Sequence, residues 1–171
     1  MVERIIRVDQ AGEFGAVRIY EGQLAALRRT GRGTSPAARR IEAMLAQEKT
    51  HKDTFDRLAA ARRVRPTALS PLWSVAGFAL GAATALMGEE AAMACTVAVE
   101  ETIDEHYAAQ RDSLGDDEAA LRETVEKFRR EEVAHRDEAL AAGAENAPGY
   151  DVLSAAIRTG SRLAIWLSTR V

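Results

Sequence analysis

A chain of 171 residues, 47% hydrophobic and 29% charged, has the balance of a water-soluble globular protein and enough length to enclose one continuous core, so residues 1–171 are read as a single domain. A net charge of −3 excludes a strongly basic surface overall, and with it a general nucleic-acid binder. The lone cysteine, Cys95, excludes an internal disulfide and any Cys-x-x-Cys pair; a free thiol suits a reducing, cytoplasmic setting, as does a start, Met1-Val2-Glu3-Arg4, without the layout of an export signal.

Taken in order, residues 3–29 are predicted to form a helix that stops at the Gly-rich stretch TGRGTSP. Ser35 and Pro36 form an N-cap and first-turn pair that opens a second helix running to about Arg63. A break follows at Val64-Arg65-Pro66, and Ser70-Pro71 repeats the start signal for a short apolar helix. Gly88 separates that helix from a fourth, which ends near Leu114. Gly115 and Asp116 stop the fourth helix and cap a fifth, which reaches about Gly143. After the turn Asn146-Ala147-Pro148-Gly149, a last helix spans about Asp151 to Thr169. No strand-like alternation of any length occurs, and abundant Ala with only four prolines favours helix, so the fold class is all-α.

Two of these helices carry polar residues where a core should be apolar. In the second, Ile41, Met44, Glu48, His51, Phe55 and Leu58 recur at three- and four-residue steps. In the fifth, Leu121, Val125, Phe128, Glu132 and His135 do the same. Burying a Glu and a His in each stripe is costly unless something pairs with them. Glu-x-x-His sets a carboxylate and an imidazole one turn apart on one face, within reach of one metal ion. A single such pair is a common surface salt-bridge spacing. Two of the chain's three histidines in such pairs, each on an apolar stripe, point to a metal site.

A ferritin-like di-metal pattern needs one more inward Glu from each of two other helices. In the first helix Glu13 shares a stripe with Tyr20, Leu24 and Leu27; in the fourth, Glu100 shares one with Met93, Ile103, Tyr107 and Leu114. Glu101 lies with Asp104 and Glu105 and reads as solvent-facing, which selects Glu100, and the spacing to His135 selects Glu132 over Glu131. Glu13, Glu48 and His51 then correspond to Glu100, Glu132 and His135 at displacements of 87, 84 and 84 residues, as if two helix pairs related by an approximate twofold each supplied half a site. Four carboxylates balance two divalent ions, whereas alone in a core they would repel and hold protons. One His per metal among carboxylates suits iron or manganese rather than structural zinc.

The segments RIIRVDQAGEFGAVRIYEGQ, QEKTH, RVRPTALSPLW, GFALGAATALMGEEAAMACTVAVEETIDEHY and FRREEVAH resemble the signature blocks of the demethoxyubiquinone hydroxylases of ubiquinone biosynthesis, across nearly the whole chain. The resemblance implies a ferritin-like four-helix bundle with a carboxylate-bridged di-iron centre, plus a short inserted helix and a C-terminal helix. It implies that Glu13, Glu48, His51, Glu100, Glu132 and His135 hold two iron ions (Fe2+/Fe3+), with Glu48 and Glu132 as bridges. It also implies 3-demethoxyubiquinol 3-hydroxylase activity: dioxygen is used to hydroxylate the ring of a polyprenyl quinol, with NADH as electron donor. No Gly-rich nicotinamide fingerprint accompanies that donor. His106 and Tyr107, in the block EETIDEHY, take catalytic roles near the substrate by the same resemblance; position alone puts His106 about 120° around the helix from Glu100, outside the metal layer or on the surface. Gly12 and Gly15 flank Glu13 either for close helix packing or as an opening for the quinone ring. Competing readings are a rubrerythrin-like peroxidase, a ferritin-type iron oxidase and a non-enzymatic helical scaffold at a membrane surface.

Residues 66–88 carry no charged side chain. Pro66 and Pro71 confine the uninterrupted helix to 72–87, about 24 Å long and short of a hydrocarbon core of about 30 Å. Arg62, Arg63 and Arg65 precede it, and Arg158, Arg162 and Arg170 occupy the last helix. The two helices are therefore expected to form a peripheral docking face on the cytoplasmic side of the cell membrane, using Trp73 and Phe78. A lipid-binding accessory protein and a homo-oligomer are further partners to consider.

Overall fold

Ser35 accepts a hydrogen bond from the Ala38 amide at 3.1 Å and Pro36 fills the first turn, so one helix starts where the sequence places it. The computed structural model describes all of residues 1–171, and it is helical throughout. The elements are α1 (Val2–Arg29), α2 (Pro36–Arg62), α3 (Ser70–Met87), α4 (Glu89–Ser113), α5 (Ala119–Ala141) and α6 (Tyr150–Ser168). Single 3-10 turns lie at Asp116–Glu118 and Ala144–Asn146.

Two start signals work differently from expectation. Ser70 is already inside α3 and caps nothing; its hydroxyl donates to the Thr67 carbonyl, while the Thr67 hydroxyl accepts from the Leu69 amide at 3.2 Å. Asp116 does not cap α5 directly, because the 3-10 turn intervenes and no side-chain cap bond forms. Gly88, at φ +148°, turns the chain between α3 and α4 in a backbone conformation that side chains rarely adopt.

Cross-helix bonds give the topology. Tyr20 pairs with Glu100 and Tyr107 with Glu13, so α1 and α4 run antiparallel. Arg62 pairs with Glu118, His51 with Glu131 and Gln47 with His135, so α2 and α5 also run antiparallel. Helix α3 is the crossover, lying parallel to α1 along most of its length, with Arg18 bonded to the Ser74 carbonyl near its start and Arg32 to the Ala85 carbonyl near its end. Helix α6 descends α4 through Arg158–Glu101 and Arg162–Glu105, each 2.9 Å. The acidic side of α4 is thus the seat of α6, a use that the solvent-facing reading of Glu101 missed.

Two apolar clusters cap the polar layer from above and below. One gathers Leu24, Leu27, Ile41, Met44, Met93 and Val97; the other gathers Ile6, Phe55, Leu121, Val125 and Phe128. Tyr20 belongs to the first and Tyr107 to the second. Cys95 is fully buried among Ala98, Val99 and Ile157, and burial pushes its thiol up to about 12, which leaves it a packing residue.

The α1–α3 contact depends on missing side chains. A Cβ at Gly77 would meet the Gly15 carbonyl oxygen at 3.0 Å, and Cβ atoms at Gly81 and Gly22 would overlap the backbone carbonyls of Ile19 and Phe78. Helix α3, about 27 Å long, is long and apolar enough by composition to cross a membrane, yet its Gly77, Gly81, Thr84 and Ala85 face is buried against the bundle. Its partner α1 carries charged residues toward both ends, among them Glu3, Arg4, Arg7, Arg18, Glu21, Arg28 and Arg29, so a span by α3 alone would strip it from that seat. Gly81→Leu should therefore destabilise the fold by at least about 1–3 kcal/mol through overpacking. Gly160→Ala, on an open face of α6, should instead add up to about 1 kcal/mol. Denaturant unfolding of both variants against wild type measures the contrast.

Candidate metal centre

The inward stripes of α1, α2, α4 and α5 meet in one layer. Glu13, Glu48, His51 and Glu132 form one group whose ligand atoms all lie within 4.8 Å of one another, and Glu48, Glu100, Glu132 and His135 form a second. Glu48 and Glu132, which the resemblance makes the bridges, are the two residues common to both groups. All six residues are at most 4% exposed. His51 Nδ1 lies 2.9 Å from Glu132 Oε1 and 3.5 Å from Glu13 Oε2; His135 Nδ1 lies 3.0 Å from Glu132 Oε2 and 3.1 Å from Glu48 Oε1. Both rings aim Nδ1 inward.

The donor atoms fit a cation. Glu13 Oε2, both Glu48 oxygens, His51 Nδ1, Glu100 Oε2 and Glu132 Oε1 are buried with no hydrogen-bond partner of acceptable geometry. That many orphaned lone pairs converging on one space are costly unless positive charge takes them. Burial pushes Glu48 and Glu100 well above the usual carboxylate range, and the neighbouring Glu132 charge adds to it. Glu13 is raised too, chiefly by burial. Burial also opposes ionisation of Glu132, but the hydrogen bond from His135 and the close approach of the His51 ring outweigh it and bring that carboxyl down. Burial would discharge His51, yet the Glu13 and Glu132 carboxylates close to its ring carry it up to about 11. Three acids that keep protons and a histidine that gains one describe a cluster short of positive charge. Two divalent ions would supply it, binding ionised carboxylates and neutral imidazoles and releasing protons as they do so.

Around this layer stand residues of a second kind. Tyr20 donates to Glu100 Oε1 at 2.7 Å, and Tyr107 donates to Glu13 Oε1, so each tyrosine fixes the carboxylate of the opposite half. Phe128 stacks on the His51 ring at 4.0 Å between centroids. Glu131, passed over in the sequence reading, reaches His51 Nε2 at 2.8 Å, and Gln47 reaches His135 Nε2 at 3.1 Å. Their position, one residue before each inward Glu, is the only sequence signal for them, and it gains meaning only when α2 and α5 are known to face each other. His106 does not enter the carboxylate layer. Its Nε2 lies 2.7 Å from Gln110 and 3.4 Å from buried Asp9, and it lines a surface pocket of about 410 Å³ with Arg4, Ile5 and Val8. At Gly12 and Gly15 an added Cβ would meet nothing within 4 Å, so close packing does not explain Gly12, and Gly15 matters for packing only through its carbonyl.

Four carboxylates and two histidines from four helices, in two groups that share two carboxylates, define a ferritin-type protein with a site shaped for two metal ions. The sequence matches the family described as "Ubiquinone biosynthesis protein COQ7" over residues 1–168. It is 59% identical over 171 residues to the 3-demethoxyubiquinol 3-hydroxylase of Rhodospirillum rubrum, a match covering 100% of this chain and 79% of the relative. It is 52% identical over 174 residues to the NADPH-dependent 3-demethoxyubiquinone 3-hydroxylase, mitochondrial, of Dictyostelium discoideum (100% of this chain, 78% of the relative) and likewise to that of Homo sapiens (99% and 78%). The chain belongs to the COQ7 family of ubiquinone biosynthesis proteins.

The electrostatics set opposite pH responses with and without metal. Glu13, Glu48, Glu100 and His51 hold protons in the folded chain that the unfolded chain releases, so the metal-free protein should lose stability as pH rises above about 4.5 to 6.5. In the loaded protein protons compete with metal, so acidification should release the ions and cancel the stabilisation that binding adds. Thermal melts of chelated and loaded protein across mildly acid to neutral pH should show curves of opposite slope.

Proposed function

We propose that this protein is an oxidoreductase, a di-iron monooxygenase that hydroxylates the ring of a polyprenyl demethoxyubiquinol with dioxygen in ubiquinone biosynthesis, with residues 1–171 acting as one domain. The observation that carries the reading is the pair of overlapping four-residue groups in a chain 59% identical to a 3-demethoxyubiquinol 3-hydroxylase. Glu13 and His51 would hold one iron and Glu100 and His135 the other, with Glu48 and Glu132, common to both groups, shared between them. The two bound irons supply the redox chemistry, activating dioxygen toward the electron-rich ring. The chain supplies position and dryness. Tyr20 and Tyr107 lock the two terminal carboxylates, and the apolar clusters on either side keep water from the layer. Tyr107, bonded to Glu13, borders the reacting centre, while His106 acts one layer further out, at the pocket mouth. The open space at Gly12 and Gly15, beside Glu13, admits the quinone ring. Electrons come from a reduced nicotinamide, NADH by the resemblance; the Dictyostelium and human relatives are named for NADPH, so both donors belong in the assay.

Loaded protein supplied with reductant under air should convert a demethoxyubiquinone analogue to its hydroxylated product, followed by mass spectrometry. Glu132→Ala should lose both iron and activity, and full iron occupancy in that variant would sink the ligand assignment. Gly12→Leu should keep its iron but raise KM for the quinone about tenfold or more by filling the opening. If the reduced protein consumes peroxide and leaves the quinone untouched, it is a rubrerythrin-like peroxidase instead.

The substrate's polyprenyl tail calls for a membrane surface, and α3 and α6 offer one. Leu72, Val75, Leu86 and Met87 on α3, with Val152, Leu163 and Trp166 on α6, are each more than half exposed. Trp73 and Phe78 are not the exposed residues expected: Trp73 donates to Ser168 at 2.9 Å, and Phe78 lies under the Arg18 guanidinium at 4.9 Å. Arg158 and Arg162 are committed to Glu101 and Glu105, and Arg62 to Glu118, which leaves Arg63, Arg65 and Arg170 without a carboxylate partner, so apolar insertion leads docking on the cytoplasmic face of the membrane and these three charges assist it. A lipid-binding accessory protein or a second copy of the chain would compete for the same face. Liposome flotation should recover the protein at low salt and still in part at high salt, and combined Leu72→Ser, Val75→Ser and Trp166→Ser should release it with iron content unchanged. Undiminished binding by that triple variant would remove these helices from the docking face.

A further inference from the structure

The site is built twice, and the outer nitrogens of its two histidines meet chemically different partners. The displacement of 84 residues that relates Glu48 to Glu132 and His51 to His135 also relates Gln47 to Glu131. Each of these two residues crosses to the histidine of the opposite helix and meets its outer nitrogen, Nε2, while Nδ1 faces the carboxylate layer. Behind His51 stands a carboxylate, Glu131, at 2.8 Å; behind His135 stands a neutral amide oxygen, Gln47 Oε1, at 3.1 Å. A hydrogen bond from an imidazole N–H to a carboxylate is shorter and about twice as strong as one to a neutral acceptor. It pushes electron density toward the inner nitrogen, making that nitrogen the better metal ligand, and loss of such an outer partner commonly costs 10–100-fold in metal affinity. Glu131 can play this part because it is only 29% exposed, and its other ion-pair partner, Lys127, lies 4.0 Å from Oε1, which leaves Oε2 to the ring.

We infer that Glu131 makes the two metal positions unequal, so that the ion held by Glu13 and His51 is bound more tightly than the ion held by Glu100 and His135. The inference rests on the metal centre proposed above and adds an order to it: the Glu13–His51 position fills first and empties last, and the Glu100–His135 position exchanges.

The test uses the full chain loaded with Mn2+, a spin probe for the same donor set, from which metal is withdrawn by a graded series of chelators. Metal per chain is counted at each step, and electron paramagnetic resonance separates a lone ion, with its six-line spectrum, from a coupled pair. Wild type should pass through a state with about one ion per chain and a six-line spectrum. Glu131→Gln, of the same shape, should weaken the retained ion 10–100-fold, so that both ions leave together. Gln47→Glu should strengthen the exchanging ion and narrow the gap from the other side; helix content by circular dichroism shows that each variant is folded. Coincident loss of both ions from wild type, or an unchanged retained ion in Glu131→Gln, overturns the inference while leaving the metal centre standing. A chain that takes up no metal at all refutes the metal centre, and the inference falls with it.

Discussion

Four carboxylates and two imidazoles share one buried layer between two helix pairs, and the rest of the molecule is arranged around the repulsion this creates. Burial alone would protonate most of these acids, as it does for Glu48 and Glu100. Only a concentrated positive charge can make such a layer stable with its carboxylates ionised. Apolar clusters above and below deny it water, which strengthens every interaction inside and makes the demand for that charge absolute.

The layer is held by ties that run between halves rather than within them. Tyr20 of the first half grips Glu100 of the second, and Tyr107 returns the bond to Glu13. Gln47 and Glu131 do the same for the two histidines. Four long helices can slide or splay by an ångström at little cost in apolar contact. Cross-ties of this kind couple the position of each donor to the opposite pair, so the donors move as a unit or not at all. The same cross-tying is what lets a carboxylate behind one histidine and an amide behind the other distinguish two positions built from the same donor types.

Beyond the four-helix unit, α3 and α6 have little to do with the donor layer and much to do with what surrounds it. Helix α3 sits on α1 through glycines whose backbones touch, which turns its larger side chains outward. Helix α6 sits on α4 through arginine–carboxylate pairs, which leaves Val152, Leu163 and Trp166 outside. Both helices are thus fastened by one face and carry exposed apolar side chains on another.

Much of this was legible in the residues alone. Hydrophobic period, Ser35-Pro36 and Gly88 were enough to place six helices, because helix starts and stops are local chemistry. The two Glu-x-x-His pairs and their repeat singled out all six residues of the layer, because side chains one turn apart on an apolar stripe must face inward together. What the sequence could not contain is which faces meet. Glu101 read as solvent-facing until α6 lay across it, and Trp73 and Phe78 read as membrane contacts until Ser168 and Arg18 took them. Glu131 looked like a rejected alternative to Glu132, and it became the partner of His51 only when α5 was set against α2 with their ends reversed. Spacing along one helix determines a face; the partner of that face is decided by packing between helices distant in the chain.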